Sequence, residues 1–166
     1  MFRRATVDKA GQAGDLSMGA IRVLVVMAGV LVAVSAQAQT NLTSPVGMWR
    51  TIGDKTGKER GLVRIFETNG ALYGRLQKLY DPAAAGRVCE KCSDDRKGKP
   101  LIGLDIVRGL RADSDGGWSG GEILDPESGS TYRASVKLAD GGSKLQVRGY
   151  LMVSLLGRSQ IWVRDR

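Results

Sequence analysis

The 166-residue sequence contains no histidine, and that absence removes most catalytic options at once. Without an imidazole there is no Ser-His-Asp or Cys-His nucleophile, no imidazole base and no histidine-based metal centre. Cysteine is nearly absent as well, Cys89 and Cys92 being the only two. A structural zinc site takes four ligands, usually Cys and His, so it would have to recruit Asp94 and Asp95. Aromatic residues are few: three Trp, four Tyr and two Phe, too sparse for the stacking platforms of single-strand nucleic-acid binders. Gly116-Gly117 and Gly120-Gly121 lack the Gly-Lys-Ser/Thr ending of a phosphate loop, and Gly120-Gly121 reads instead as a bulge or sharp bend. The carboxylate pairs Asp94-Asp95, Asp113/Asp115 and Asp125/Glu127 sit among turn residues, where turn chemistry and solvation account for them. Asp105 and Glu122 are acids within predicted strands. No catalytic set, resident metal or cofactor motif emerges, and the expectation is a non-enzymatic protein.

Long hydrophobic runs are also lacking. Residues 23–34 are uninterrupted apolar and small residues, shorter than the ~20 needed for a membrane span. They follow a basic segment with Arg3, Arg4, Lys9 and Arg22, and precede Ala36-Gln37-Ala38, an A-x-A cleavage site. Residues 1–38 therefore read as a signal peptide, with Met18 an alternative start and a retained anchor the alternative reading. The expected mature protein begins near Gln39, has no transmembrane anchor and is exported, to the periplasm or beyond the cell. Loss of the leader takes away four basic and two acidic residues, lowering the net charge from +8 to +6. That charge would draw anionic envelope components, but its spread along the chain fits solvated strand faces equally well. Residues 39–166 are a length for one domain.

What the sequence has in plenty is glycine, 23 residues of it, between short β-prone runs. Sustained helical periodicity is missing. The pattern predicts strands over 46–52, 61–68, 72–79, 101–110, 118–124, 131–138, 144–150 and 158–164. Asn69-Gly70 is a hairpin turn, because both residues tolerate positive φ. In 101–110, Ile102, Leu104, Ile106 and Leu110 share a face at period two. In 131–138, Tyr132, Ala134, Val136 and Leu138 oppose Thr131, Arg133, Ser135 and Lys137. Leu145 and Val147 likewise oppose Lys144, Gln146 and Arg148. Such alternation marks antiparallel sheet with one dry and one wet face. Residues 81–100 form a long loop, and 151–157 carry no assignment. About eight antiparallel strands joined by short links close into a small barrel, with a two-sheet sandwich as the competitor.

Gly47-x-Trp49 in the first strand, with Arg164 near the end of the last, resembles the lipocalin and calycin pattern. That resemblance implies a Trp49 plug at one end of the barrel with an Arg packed on its indole, Arg164 being the better match and Arg158 the second. Longer runs are more specific. Ser44-Pro45-Val46-Gly47-Met48-Trp49-Arg50-Thr51, Val88-Cys89-Glu90-Lys91-Cys92, Trp118-Ser119-Gly120-Gly121, Ile123-Leu124-Asp125-Pro126, Val147-Arg148-Gly149-Tyr150 and Ser154-Leu155-Leu156-Gly157-Arg158-Ser159-Gln160-Ile161-Trp162 stand in order. Together they resemble the bacterial exported domain of unknown function 2147 family across residues 39–166. The resemblance implies an export signal and a small lipocalin-like β-barrel, and no activity.

Two constellations remain. Cys89 and Cys92, in an oxidising compartment, read by default as a disulfide that rigidifies its loop, with thiol redox or metal binding as alternatives. Arg158, Gln160, Trp162 and Arg164 share one face of the last strand, and Arg148 and Tyr150 share one of the strand before. Facing inward, Arg148, Tyr150, Arg158, Gln160 and Trp162 would hold an anionic or amphipathic ligand; facing outward, they form a wet surface. The expected function is binding of a small apolar or amphipathic molecule. The alternative is an envelope interaction module with a filled barrel and a basic exterior, and a thiol-redox protein is the third reading.

Overall fold

The computed structural model describes residues 42–84, 86–151 and 157–166, so the expected leader (1–38) and mature start lie outside the described residues. Eight strands form one sheet: β1 (Gly47–Ile52), β2 (Glu59–Thr68), β3 (Ala71–Leu79), β4 (Asp105–Ala112), β5 (Trp118–Asp125), β6 (Ser130–Ala139), β7 (Lys144–Tyr150) and β8 (Gly157–Arg164). Each pairs antiparallel with its sequence neighbours, and β1 pairs with β8 to close the barrel. Closure pairs the first strand with the last, which the sandwich alternative would not have done. Asn69 and Gly70 take φ of 53° and 69° and make the predicted tight turn between β2 and β3.

The fourth strand departs from expectation. It starts at Asp105, because residues 101–104 turn instead of pairing in a ladder: Gly103 has φ of 89°, and the Leu104 amide bonds the Leu101 carbonyl at 3.1 Å. The period-two face is therefore broken. Ile102 is 45% exposed, whereas Ile106, Val107 and Leu110 are all buried. Two register shifts against β3 allow three such unevenly spaced residues to bury together. The Gly120-Gly121 irregularity is present in β5, where Gly120 has φ of 80° and the register against β6 shifts between Trp118 and Gly121. A side chain at Gly121 would meet the Arg108 carbonyl at 2.2 Å, so the two strands need glycine there to approach.

The two ends of the barrel differ. One end carries the segment before β1 together with the β2–β3, β4–β5 and β6–β7 turns. Trp49, Val63, Ile65, Leu72, Leu110 and Leu145 are all buried in the core. The other end carries the β1–β2 turn, the long β3–β4 loop, the β5–β6 turn and the start of the β7–β8 connection. That end is hollow.

Candidate ligand-binding site

At the filled end the strand pleat aims Trp49 inward, and register sets it opposite Arg164. The indole is fully buried and donates from Nε1 to the Pro45 carbonyl at 2.8 Å. The Arg164 guanidinium carbon lies 4.2 Å from the centroid of that ring. Arg164 also donates to three carbonyls, Gly142 at 2.7 Å, Val46 at 3.1 Å and Ser44 at 2.7 Å. Burial lowers its pKa from the ordinary value, while the carbonyls supply the acceptors that water would have given. Gly47 is required by this arrangement: with φ of 144°, a Cβ there would sit 2.8 Å from Arg164 Nη1. Gly47, Trp49 and Arg164 thus form a plug at one end.

Above the plug lies a cavity of about 780 Å³. Leu76, Ile106, Ile123, Val147 and the Trp162 ring supply its apolar wall, with Tyr132 and Gly149 beside them. A Cβ at Gly149 would meet Ile123 Cγ2 at 3.4 Å and Tyr132 Cβ at 3.5 Å, both ordinary contacts. Polar side chains line it as well. Trp162 Nε1 donates to Gln160 Oε1 at 3.4 Å, and Gln160 Nε2 donates to Asp54 at 3.3 Å. The rim is charged. Arg60 pairs with Glu127, Arg158 with Asp54, and Arg87 lines the opening as well.

Of the residues singled out in the sequence, Tyr150, Arg158, Gln160 and Trp162 line this cavity, and Arg148 does not. Val147 and Gly149 take the inward positions of β7, so the pleat points Arg148 outward, where its Nη1 donates to Ser159 at 3.1 Å. Arg164 belongs to the plug and not to the cavity, so the interior holds one guanidinium of that set, at the rim.

The β3–β4 loop forms part of the wall through Ala84, Arg87 and Leu101. Cys89 and Cys92 are joined as a disulfide. Both are buried with Leu101, Leu104 and Leu124 in the main core, deeper than a solvated surface loop would place them. Arg96, fully buried, anchors the loop to the sheet. It pairs with Asp94, reaches Glu122 at 3.1 Å and Thr131 at 3.0 Å, and donates to the Asp105 carbonyl at 3.3 Å. The Arg96 hydrogen bonds hold the Asp94 carboxyl below its usual range. Asp95, exposed, bonds Arg108 at 2.7 Å and is likewise held well below it. Sequence reasoning assigned these aspartates to turn chemistry, which Asp94 performs by accepting from the Arg96 amide at 2.9 Å, but it missed the Arg96 guanidinium, whose further partners lie 26 and 35 residues away. Asp113 and Asp125 do bond turn amides, those of Gly117 and Glu127. Asp105 pairs with Arg75 at 2.7 Å on the outer wall.

Residues 47–164 match the sequence profile of a bacterial family described as "Uncharacterized protein conserved in bacteria (DUF2147)". The chain belongs to this family. The DUF2147 match runs from the Gly47 of the plug to its Arg164, so it spans the whole barrel. Among solved structures, the DUF2147 chain is similar to protein HP1028 from the human pathogen Helicobacter pylori, which belongs to the lipocalin family. The TM-score is 0.65 at 19% identity, covering 74% of this chain and 84% of that one. At that identity the likeness establishes a lipocalin-like fold. A search of curated proteins finds no match.

Proposed function

We propose that this DUF2147 protein is an exported binding protein that holds a small apolar or amphipathic molecule inside its barrel, without performing chemistry on it. The carrying observation is the cavity. Its volume of about 780 Å³ falls within the ~300–1,000 Å³ of small-molecule sites, and it combines an apolar wall with a strongly polar, charged rim. An apolar body would bury against Leu76, Ile106, Val147 and Trp162, while a polar end would stay at the charged rim. The cavity favours this reading over the envelope-module alternative, whose premise is a filled barrel. Export is supported by the A-x-A site after a short apolar run, and sequencing the N-terminus of periplasmic protein should find Gln39 or a neighbour.

Binding is tested with the apolar fluorophore N-phenyl-1-naphthylamine. Its emission should rise on adding the protein and saturate at one site. Gly149→Phe should abolish the rise while far-UV circular dichroism and the unfolding midpoint stay near the parent's, because the new ring has room only in the cavity. Equal binding by Gly149→Phe would place the probe elsewhere and remove the support for an interior site. Mass spectrometry of extracts from native protein would then identify the natural ligand.

A further inference from the structure

The β1–β8 junction has as few register pairs as the bulged β3–β4 junction, but its pairs are consecutive and confined to one end of the barrel. It has three register pairs, Trp49 with Arg164, Arg50 with Val163 and Thr51 with Trp162, whereas β8 pairs with β7 at seven positions. All three lie toward the plug. Nearer the rim, β8 from Gly157 to Ile161 is hydrogen-bonded through its backbone to β7 alone among the described strands. On the facing side, β1 ends at Ile52 and the chain enters a turn that bonds to itself, the Gly53 amide to the Lys58 carbonyl at 2.8 Å and the Gly57 amide to the Gly53 carbonyl at 2.8 Å. Among the described residues, the Asp54 side chain bonds across the gap. Asp54 pairs with Arg158 and accepts from Gln160 Nε2 at 3.3 Å. Cavity-lining residues flank the gap on both sides, Thr51 and Ile52 on one, Arg158, Gln160 and Trp162 on the other.

We propose that this gap is a lateral entrance to the cavity and that Asp54 is its latch, a reading that rests on the binding function above. The argument is one of comparative cost. Parting two paired strands breaks ladder hydrogen bonds whose groups must find new partners. Parting β1 from β8 near the rim breaks none. It gives up an ion pair whose Arg158 side chain is 66% exposed and a long hydrogen bond, both readily replaced by water. Ile52, beside the gap, and Trp162, at its inner limit, both line the cavity and offer apolar surface to an elongated molecule passing sideways. Asp54 does not itself line the cavity, so it governs passage and not the bound state.

Stopped-flow exchange of N-phenyl-1-naphthylamine tests the entrance. Asp54→Asn should raise the association and dissociation rates together by about threefold to tenfold, the effect of losing one exposed ion pair and a weak hydrogen bond, with Kd unchanged. Added salt should speed exchange in the parent and leave the variant unaffected. In the converse experiment, Asp54→Cys and Arg158→Cys are combined and bridged by a short thiol cross-linker, and both rates should fall together relative to the same variant before bridging. Binding with rates unchanged in both proteins would mean passage over the rim and overturn the entrance alone. A Kd altered through one rate only would make Asp54 a ligand contact and overturn its role as latch. Absence of binding by the parent protein would overturn the interior site itself, and the entrance with it.

Discussion

Truncating the two halves of the plug measures how much the barrel depends on its closure. Trp49 is fully buried, so Trp49→Ala removes an indole from a packed site and leaves a cavity, at a cost of about 3–5 kcal/mol. With a typical urea dependence of ~1–3 kcal/mol per molar, the unfolding midpoint should fall by about 1–5 M. Arg164→Ala acts differently. It recovers the desolvation of a guanidinium only 7% exposed, but strips the donors from the Ser44, Val46 and Gly142 carbonyls and uncovers the indole. Hydrogen bonds to a charged group contribute ~1.5–3 kcal/mol each, and the desolvation recovered offsets part of three of them, so a net loss of about 2–4 kcal/mol is expected. Because the guanidinium carbon lies 4.2 Å from the indole centroid, each residue loses the other's contact when mutated alone. The double mutant should therefore lose less than the sum of the singles, by about 0.5–2 kcal/mol. Urea unfolding of the four proteins, followed by far-UV circular dichroism, completes the cycle. Additive losses, or a Trp49→Ala variant as stable as the parent, would show that the barrel does not close through this pair.

The Cys89–Cys92 bridge closes a very short loop, so its removal by paired serine substitutions should cost about 2 kcal/mol and leave the fold intact. Because both sulfurs are buried, thiol labelling after mild reductant should find them unreactive until the protein is unfolded. Arg96→Met should cost about 2–4 kcal/mol, less than for a fully buried ion pair because Asp94 and Glu122, 37% and 40% exposed, can rehydrate. Trypsin should then cut the 80–104 loop faster, and a variant as resistant as the parent would refute the anchoring role. Asp94, Asp95 and Asp113 are held below their usual range by the Arg96 side chain, the Arg108 side chain and the Gly117 amide respectively. Their stabilisation is complete above the unfolded value of ~3.9 and is lost as pH falls through the lower folded values. Melting temperature should accordingly be flat from neutral pH to about pH 5 and drop below about pH 4, and a drop beginning near pH 6 would contradict it.

The barrel was largely legible in the sequence because its instructions are local. Alternation in β6 and β7 declares which face is dry, Asn69-Gly70 declares a hairpin, and neither depends on distant residues. Trp49 and Arg164 could be paired before the structure was known because the lipocalin-like pattern supplies the long-range link. The start of β4 was misread for the converse reason: alternation continues through Ile102 and Leu104, but the Leu76 amide and carbonyl bond the 103–104 turn at 2.9 and 2.7 Å in place of a ladder. Arg96 illustrates the same limit, since nothing within ten residues foretells that its guanidinium will meet Glu122 and Thr131.

The sequence by itself determined most of the strands, the dry faces of β6 and of β7 through Val147, and the tight turns, each set by the side chain at one position or by two neighbours. The hollow interior, the wall made by the 80–104 loop and the thin β1–β8 junction were decided only in the tertiary structure. A cavity is the volume left when eight strands with particular bulges and registers enclose more space than Ile106, Gly149 and Trp162 can fill. That difference belongs to the closed sheet as a whole, so no single stretch of sequence contains it.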